Sequence, residues 1–185
     1  MICKPPGASP AVLSLPDRAK RSLRAGHRFG IQMQPKIAPI GEHDVAAVAQ
    51  LRLATFFEGT GRTLGEDAAG LRGLIAGDGF EAAFVARIGD TPVGTCLLVR
   101  HELEPVHDLT PWLAGLVVDA RYRRRGIATA LVKATEAHAA SRGVEMLHLY
   151  TWDARDFYAA LGWNTVEISG SDGEKMALMS RRPRL

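Results

Sequence analysis

One stretch decides the fold: Leu116-Val117-Val118-Asp119-Ala120-Arg121-Tyr122-Arg123-Arg124-Arg125-Gly126-Ile127-Ala128-Thr129-Ala130-Leu131. It begins within Trp112–Val118, a run that is apolar enough on both faces to be a central strand. It ends in a helical pattern whose apolar face continues to a stop near Arg142-Gly143, a cation followed by a glycine. The chain therefore passes from a buried strand through a basic loop directly into a helix.

The loop in this stretch has the properties of an anion site. The first N–H groups of a helix lack intrahelical partners and lie at the positive end of its dipole, so they attract phosphate. Gly126 and Ala128 let an anion approach the backbone, and the guanidinium groups of Arg123, Arg124 and Arg125 add positive charge. Two other interpretations stay open: the arginines form a solvated loop, or Gly126 only serves a tight turn.

Hydrophobic periodicity places further elements on both sides of this stretch. Upstream it predicts a strand, two helices and a hairpin of two strands, at 36–40, 43–57, 64–75, 80–88 and 93–100. Downstream it predicts a strand, a short helix and two more strands, at 145–150, 153–161, 163–168 and 175–180. The alternation of residues 80–88 is typical of a half-buried strand. Early antiparallel hairpins and a later strand–helix–strand crossover together predict an α/β fold with a mixed sheet and helices on both faces.

Composition indicates one ordinary soluble domain, residues 33–185, preceded by a basic extension, residues 1–32. The formal net charge is +3, but the extension alone carries six Lys/Arg against Asp17, so the remaining 153 residues sum to −2. The net positive charge lies in the extension and not in the folded domain, so it gives no reason to expect a nucleic-acid partner. We expect the Pro-rich extension to be disordered. A chain that naturally starts at Met33 and an organelle transit peptide are both open interpretations of it.

The sequence offers no sign of disulfides, metal ligands or membrane insertion. Cys3 and Cys96 form no disulfide framework, and His138 and His148 lack a metal-ligand spacing, so we expect no metal. No stretch approaches the ~20 apolar residues of a membrane span. The prediction is a cytoplasmic protein without membrane partners.

Two motifs together resemble the GNAT superfamily of acetyltransferases. Arg123-x-x-Gly126-x-Ala128 is similar to the family's Arg/Gln-x-x-Gly-x-Gly/Ala signature, between a strand end and a central helix. The segment from Ala154 to Trp163 resembles its A-x-x-F-Y-x-x-L-G-F motif. Nucleotide loops of the Gly-x-x-x-x-Gly-Lys-Ser/Thr or Gly-x-Gly-x-x-Gly type are absent from the sequence.

The resemblance implies a GNAT-like fold: a mixed, mostly antiparallel sheet of six to seven strands with splayed central strands. It also implies acetyl-CoA as co-substrate. The pantetheine arm would pair with Leu116, Val117 and Val118. The diphosphate would rest mainly on backbone N–H groups of the loop and helix start, which comprise Arg123, Arg124, Arg125, Gly126, Ile127, Ala128 and Thr129.

Tyr158 matches the tyrosine that acts as a general acid in many members of the superfamily, although it could also be a packed aromatic. Where the family often has a cofactor-binding Asn, this chain has Thr151. The strand at 112–118 has no ionisable residue that could serve as a base. A proton relay is open to the titratable residues just before that strand, which are His101, Glu102, Glu104, His107 and Asp108.

The resulting hypothesis is an N-acetyltransferase that moves an acetyl group to a primary amine of a small molecule or peptide, directly in a ternary complex. A non-catalytic acyl-CoA-binding regulatory module is the alternative. Phe56, Phe57 and Trp112 are candidates for an apolar acceptor wall, and Glu58 and Glu102 for attracting a cationic amine. The acceptor, the acyl chain and the oligomeric state, a homodimer included, stay open.

Overall fold

The computed structural model describes residues 34–102, 107–170 and 175–184. The strands in these ranges are β1 (Lys36–Pro39), β2 (Ala82–Ile88), β3 (Thr91–Val99), β4 (Trp112–Val118), β5 (Leu147–Thr151), β6 (Asn164–Ser169) and β7 (Met176–Arg181). The helices are α1 (Glu42–Arg52), α2 (Leu64–Ala76), α3 (Ile127–Ser141) and α4 (Arg155–Ala160). The predicted disordered extension, residues 1–32, lies outside the described residues.

The seven strands form one sheet in the order β1-β2-β3-β4-β5-β7-β6. Every neighbouring pair is antiparallel except β4 and β5, which are parallel. The predicted mixed, mostly antiparallel sheet of six to seven strands is therefore confirmed. The sheet consists of an N-terminal half, β1 to β4, and a C-terminal half, β5, β7 and β6, that meet only where β4 lies beside β5.

Helices cover both faces of the sheet and create two apolar cores. On one face α1 and α2 contribute Val45, Val48 and Leu71, which pack on Val85 and Leu97 of the sheet. The core on the other face is built around α3 and α4, with Ile127, Leu131, Val132, Tyr158 and Trp163 among its members. Burial on both faces explains why strand β2 is buried over Ala83–Ala86 and not on one side only, as its alternation predicted.

The first predicted helix is shorter than its apolar pattern indicated. Helix α1 ends at Arg52, and Leu53–Phe57 continues as a π-helical turn. Helix α2 then begins at a capping box, in which Thr63 Oγ1 accepts a hydrogen bond from Glu66 N–H (3.3 Å) and Glu66 accepts one from Thr63 N–H (2.8 Å). Single π turns interrupt helices frequently at functional sites. Phe56 and Phe57 lie at the end of this one and are half-buried.

A buried ion pair fixes the start of α1 to the sheet. Asp44 is 1% exposed and accepts hydrogen bonds from both Arg87 of β2 and Gly41 N–H (2.8 Å). Burial opposes ionisation of Asp44, but the hydrogen bonds from Arg87 and Gly41 outweigh it and lower the pKa of the carboxyl.

None of the described helices combines the length and the apolar character that crossing a bilayer requires.

We predict that Asp44→Ala lowers the free energy of unfolding by about 3 kcal/mol, because it leaves the Arg87 guanidinium buried without its partner. Urea denaturation followed by circular dichroism measures the loss. The matched control is Asp78→Ala, which breaks a similar pair with Arg100 at an exposed position and should change stability far less. Equal losses in the two variants would show that Asp44 does not anchor the helix.

Candidate functional site

The centre of the sheet is open because β4 and β5 part almost at once. Their pairing consists of one residue pair, Trp112 with His148. A bulge then bends β4: Gly115 has φ of 58°, and the register with β3 shifts opposite Cys96. Past this bulge β4 is bonded to β3 alone, so its other edge faces the gap.

The predicted pantetheine-binding residues lie along this free edge. Leu116 is half-buried next to the bulge, whereas Val117 and Val118 are buried and paired to β3. An unpaired strand edge presents N–H and C=O groups to any extended chain that carries amides. The edge therefore fits the amide-containing arm of coenzyme A.

The loop after β4 curls its backbone towards the start of α3. Arg124 and Gly126 both have positive φ, of 60° and 75°, and alternation into the left-handed region forms a concave nest of N–H groups. No side chain caps α3, and its first backbone bond runs from Ala130 N–H to Gly126 C=O (3.0 Å). The N–H groups of Ile127, Ala128 and Thr129 are thus left for an anion.

The arginines of this loop make different contacts. Arg123 Nε donates to Val118 C=O (3.1 Å) and ties the loop to the end of β4. Arg121 forms an ion pair with Asp119 (2.7 Å), while Arg125 Nη2 donates to Arg121 C=O (3.4 Å). Arg123, Arg124 and Arg125 are exposed, so their charges surround the helix start. The backbone N–H groups of Ile127, Ala128 and Thr129 form what we call the anion cradle.

Tyr158 lies in α4, the helix that follows β5 on the other side of the gap. It is 6% exposed, its ring packs edge-on against Trp163, and it belongs to the same core cluster as Cys96 and Ile127. Burial raises the pKa of its phenol, and the charges of Cys96 and Glu102 act in the same direction. The phenol is therefore protonated at neutral pH.

Thr151, the residue at the usual Asn position, ends β5 and is buried. Its Oγ1 accepts a hydrogen bond from Ala154 N–H (3.0 Å), which shapes the turn into α4. That bond uses the oxygen as an acceptor and leaves the hydroxyl hydrogen as a donor. A contact of Thr151 with the cofactor stays a prediction.

The face covered by α1 and α2 contains a guanidinium cluster that the sequence did not reveal. Arg52 donates to Asp67 through Nε (2.9 Å) and Nη2 (3.4 Å), and Arg62 donates to the same carboxylate (3.1 Å). Both guanidinium groups lie over the ring of Phe57, at 5.7 and 4.8 Å from its centroid. Hydrophobic periodicity could not predict this cluster, because Arg52 and Asp67 lie fifteen residues apart in the chain.

Several predicted acceptor-side residues have other contacts. Trp112 is 2% exposed and stacks on Tyr150 of β5 (4.7 Å between centroids), so it is a core residue and not an open wall. His107 Nδ1 lies 2.5 Å from Tyr150 Oη, and its Nε2 lies 3.3 Å from Glu167. This chain of polar groups bridges the loop before β4 to β5 and β6. Glu104 lies outside the described residues.

The two histidines that lack a metal-ligand spacing differ in their surroundings. His138 packs on Phe84 and has Nε2 at 3.1 Å from Phe80 C=O. His148 is 8% exposed, and burial lowers the pKa of its imidazole. Among the residues that the structure describes, no group of three or more His, Cys, Asp or Glu is arranged to hold a metal ion.

Comparison with known proteins agrees with this geometry. The sequence profile of the Acetyltransferase (GNAT) family matches residues 45–163. Among curated protein sequences, none matches this one significantly. Solved structures of several acetyltransferases share the fold, and three of them are similar over most of their length.

An aminoglycoside 6'-N-acetyltransferase complexed with coenzyme A has a TM-score of 0.66 at 19% identity, over 81% of this chain and 98% of the other. A putative acetyltransferase from Salmonella typhimurium with its cofactor acetyl-CoA has a TM-score of 0.66 at 11% identity, over 81% and 94%. A GNAT acetyltransferase from Streptococcus pneumoniae has a TM-score of 0.63 at 18% identity, over 80% and 99%. At these identities the likeness concerns the fold.

We predict that Cys96 does not react as a thiol in the folded protein, because burial raises its pKa to about 12 and the thiolate is the reactive form. The measurement is alkylation by iodoacetamide at pH 8 in a Cys3→Ser variant, followed by mass spectrometry. Modification should appear only after unfolding in urea. Rapid labelling of the native protein would contradict this and would make Cys96 a candidate nucleophile.

Proposed function

This chain belongs to the Acetyltransferase (GNAT) family, and on that premise we propose that it transfers an acetyl group from acetyl-CoA to a primary amine of a small molecule or peptide. The observation that carries the proposal is the gap between β4 and β5. An anion cradle lies at one end of this gap, a free strand edge along it and a buried phenol on its far side. The known structures with coenzyme A or acetyl-CoA share this fold.

Cofactor binding would use the backbone more than the side chains. The N–H groups from Gly126 to Thr129 would hold the diphosphate, with Arg124 and Arg125 contributing charge from outside. The free edge from Leu116 to Val118 would bind the pantetheine amides as an added strand. Bound in this way, acetyl-CoA supplies an activated acyl group as its thioester.

The reaction exchanges a C–S bond for a C–N bond. The neutral amine nitrogen attacks the thioester carbonyl carbon, the sulfur departs with the bonding electron pair, and the ammonium proton of the product is lost to a base. Tyr158 donates the proton that converts the departing thiolate to a thiol. A free thiol has a pKa of about 8.5, and burial raises the pKa of the Tyr158 phenol above its ordinary value. The transfer therefore depends on the apolar gap raising the proton affinity of the departing thiolate as well, as burial does for the thiol of Cys96.

The state of the one described cysteine supports direct transfer in a ternary complex. Cys96 is fully buried in strand β3, and its raised pKa keeps it a thiol. An acyl-enzyme route through it would require a thiolate that this environment disfavours. We therefore propose that the amine attacks the acetyl group while both substrates are bound.

The cradle is tested by the pair Gly126→Ala and Gly143→Ala. Both glycines flank α3 with φ of 75° and with no neighbouring atom within 4 Å of an added Cβ, so the backbone strain of the two variants is matched. We expect Gly126→Ala to weaken coenzyme A binding about tenfold or more, because charged hydrogen bonds contribute roughly 1.5–3 kcal/mol each. Isothermal titration calorimetry measures the affinity.

Gly143→Ala should bind coenzyme A as the unaltered protein does. Equal weakening by both substitutions would indicate a general effect of strain on α3. Absence of coenzyme A binding by the unaltered protein would contradict the proposed function itself.

The proton donor is tested by Tyr158→Phe. We expect turnover to fall about 100-fold, the usual contribution of a positioned acid, with coenzyme A affinity nearly unchanged. The matched control is Tyr150→Phe, which removes a phenol on β5 that is already bonded to His107. Release of thiol with a panel of amines gives the rates.

The same panel separates the two functional hypotheses. A protein that binds coenzyme A but acetylates none of the amines would be the non-catalytic acyl-CoA-binding module. A Tyr158→Phe variant with an unchanged rate, or a larger loss in Tyr150→Phe, would remove the role assigned to Tyr158.

A further inference from the structure

A buried N–H donor without a partner points to a second ligand group. Nη1 of Arg52 makes no hydrogen bond to the residues that the structure describes, although the side chain is only 10% exposed. The other two nitrogens of the same guanidinium are bonded to Asp67. Because an unsatisfied buried donor is costly, such a group in a native protein calls for an acceptor, and a bound ligand can supply one.

The unpartnered nitrogen points at the bulge of β4. A Cβ built on Gly115 would collide with Arg52 Nη1, so only a residue without a side chain leaves room for the guanidinium there. Gly115 and Leu116 are half-buried, whereas the rest of β4 is buried. Nη1 of Arg52 therefore lies beside the half-buried part of the strand that borders the gap.

The surroundings of Arg52 combine two guanidinium groups with a separate carboxyl. Asp67 accepts from both Arg52 and Arg62, so one carboxylate is shared by two cations. Glu102 is half-buried, and burial raises the pKa of its carboxyl while the positive charge of Arg52 acts in the opposite direction. The site thus presents a guanidinium and a nearby carboxyl to a molecule lying between the two sheet halves.

We propose that Arg52 Nη1 binds a carboxylate of the acceptor, and that the acceptor class is an amine that also carries a carboxylate, as an amino acid does. The carboxylate would complete the hydrogen bonds of Arg52, and the amino group would lie towards Glu102. This inference rests on the proposed function and specifies its substrate.

The test compares each of the twenty α-amino acids with its carboxamide, which keeps the amine and removes the negative charge. For the amino acids that are acetylated, kcat/KM should exceed that of the amide about 10- to 100-fold, the range of a charged hydrogen bond. In Arg52→Gln the ratio should fall to near one, while the KM for acetyl-CoA stays unchanged.

The matched control is Arg72→Gln. Arg72 also joins α2 to α1, through an ion pair with Glu42 (2.7 Å), but at an exposed position away from β4. This variant should keep the acid-to-amide ratio of the unaltered protein. A ratio that falls equally in both variants would assign the effect to helix packing and overturn the role of Arg52.

Binding provides a readout that needs no variant and no turnover. On the unaltered protein saturated with coenzyme A, at least one amino acid should raise the melting temperature more than its carboxamide does. Equal shifts for every acid and amide pair would overturn the carboxylate site, even if amines are acetylated. Failure of all amines to react, with coenzyme A still bound and an acid-specific shift present, would contradict the proposed function and leave the carboxylate site supported.

Discussion

The single parallel contact between β4 and β5 is the constraint on which the rest of the structure depends. Because Trp112 pairs with His148 and the strands then part, the sheet is two antiparallel halves with a gap between them. The bulge at Gly115 turns β4 away from β5 and lets Arg52 approach the strand from the helical face. The free edge, the anion cradle and Arg52 all lie around this one opening.

Burial has opposite consequences on the two faces of the sheet. On the α3 and α4 face it keeps Tyr158 and Cys96 protonated, so the phenol retains a proton and the thiol is not a thiolate nucleophile. On the α1 and α2 face it makes the pairing of Arg52 with Asp67 necessary, while Nη1 of Arg52 has no partner among the described residues. The proton chemistry and the proposed acceptor recognition are therefore separated by the sheet and meet at its gap.

Most of the fold could be predicted because its signals are local. The helix C-terminus at Arg142-Gly143, the limits of β4 and the capped start of α2 agree with the sequence patterns to within a residue or two. The π-helical turn at 53–57 was missed, since its residues continue the apolar helical spacing of α1. The one-sided burial expected for β2 was wrong because helices pack on both sides of that strand.

The sequence by itself determined the strand–loop–helix junction at 116–131, the second motif around Tyr158 and hence the family, since these depend on neighbours along the chain. Only the tertiary structure decided that Trp112 is buried under Tyr150, that Thr151 shapes the turn into α4, and that Arg52 meets Gly115. The physical reason is separation: Arg52 and Gly115 lie 63 positions apart in the chain. Their contact exists only because α1 packs across the bulged central strand.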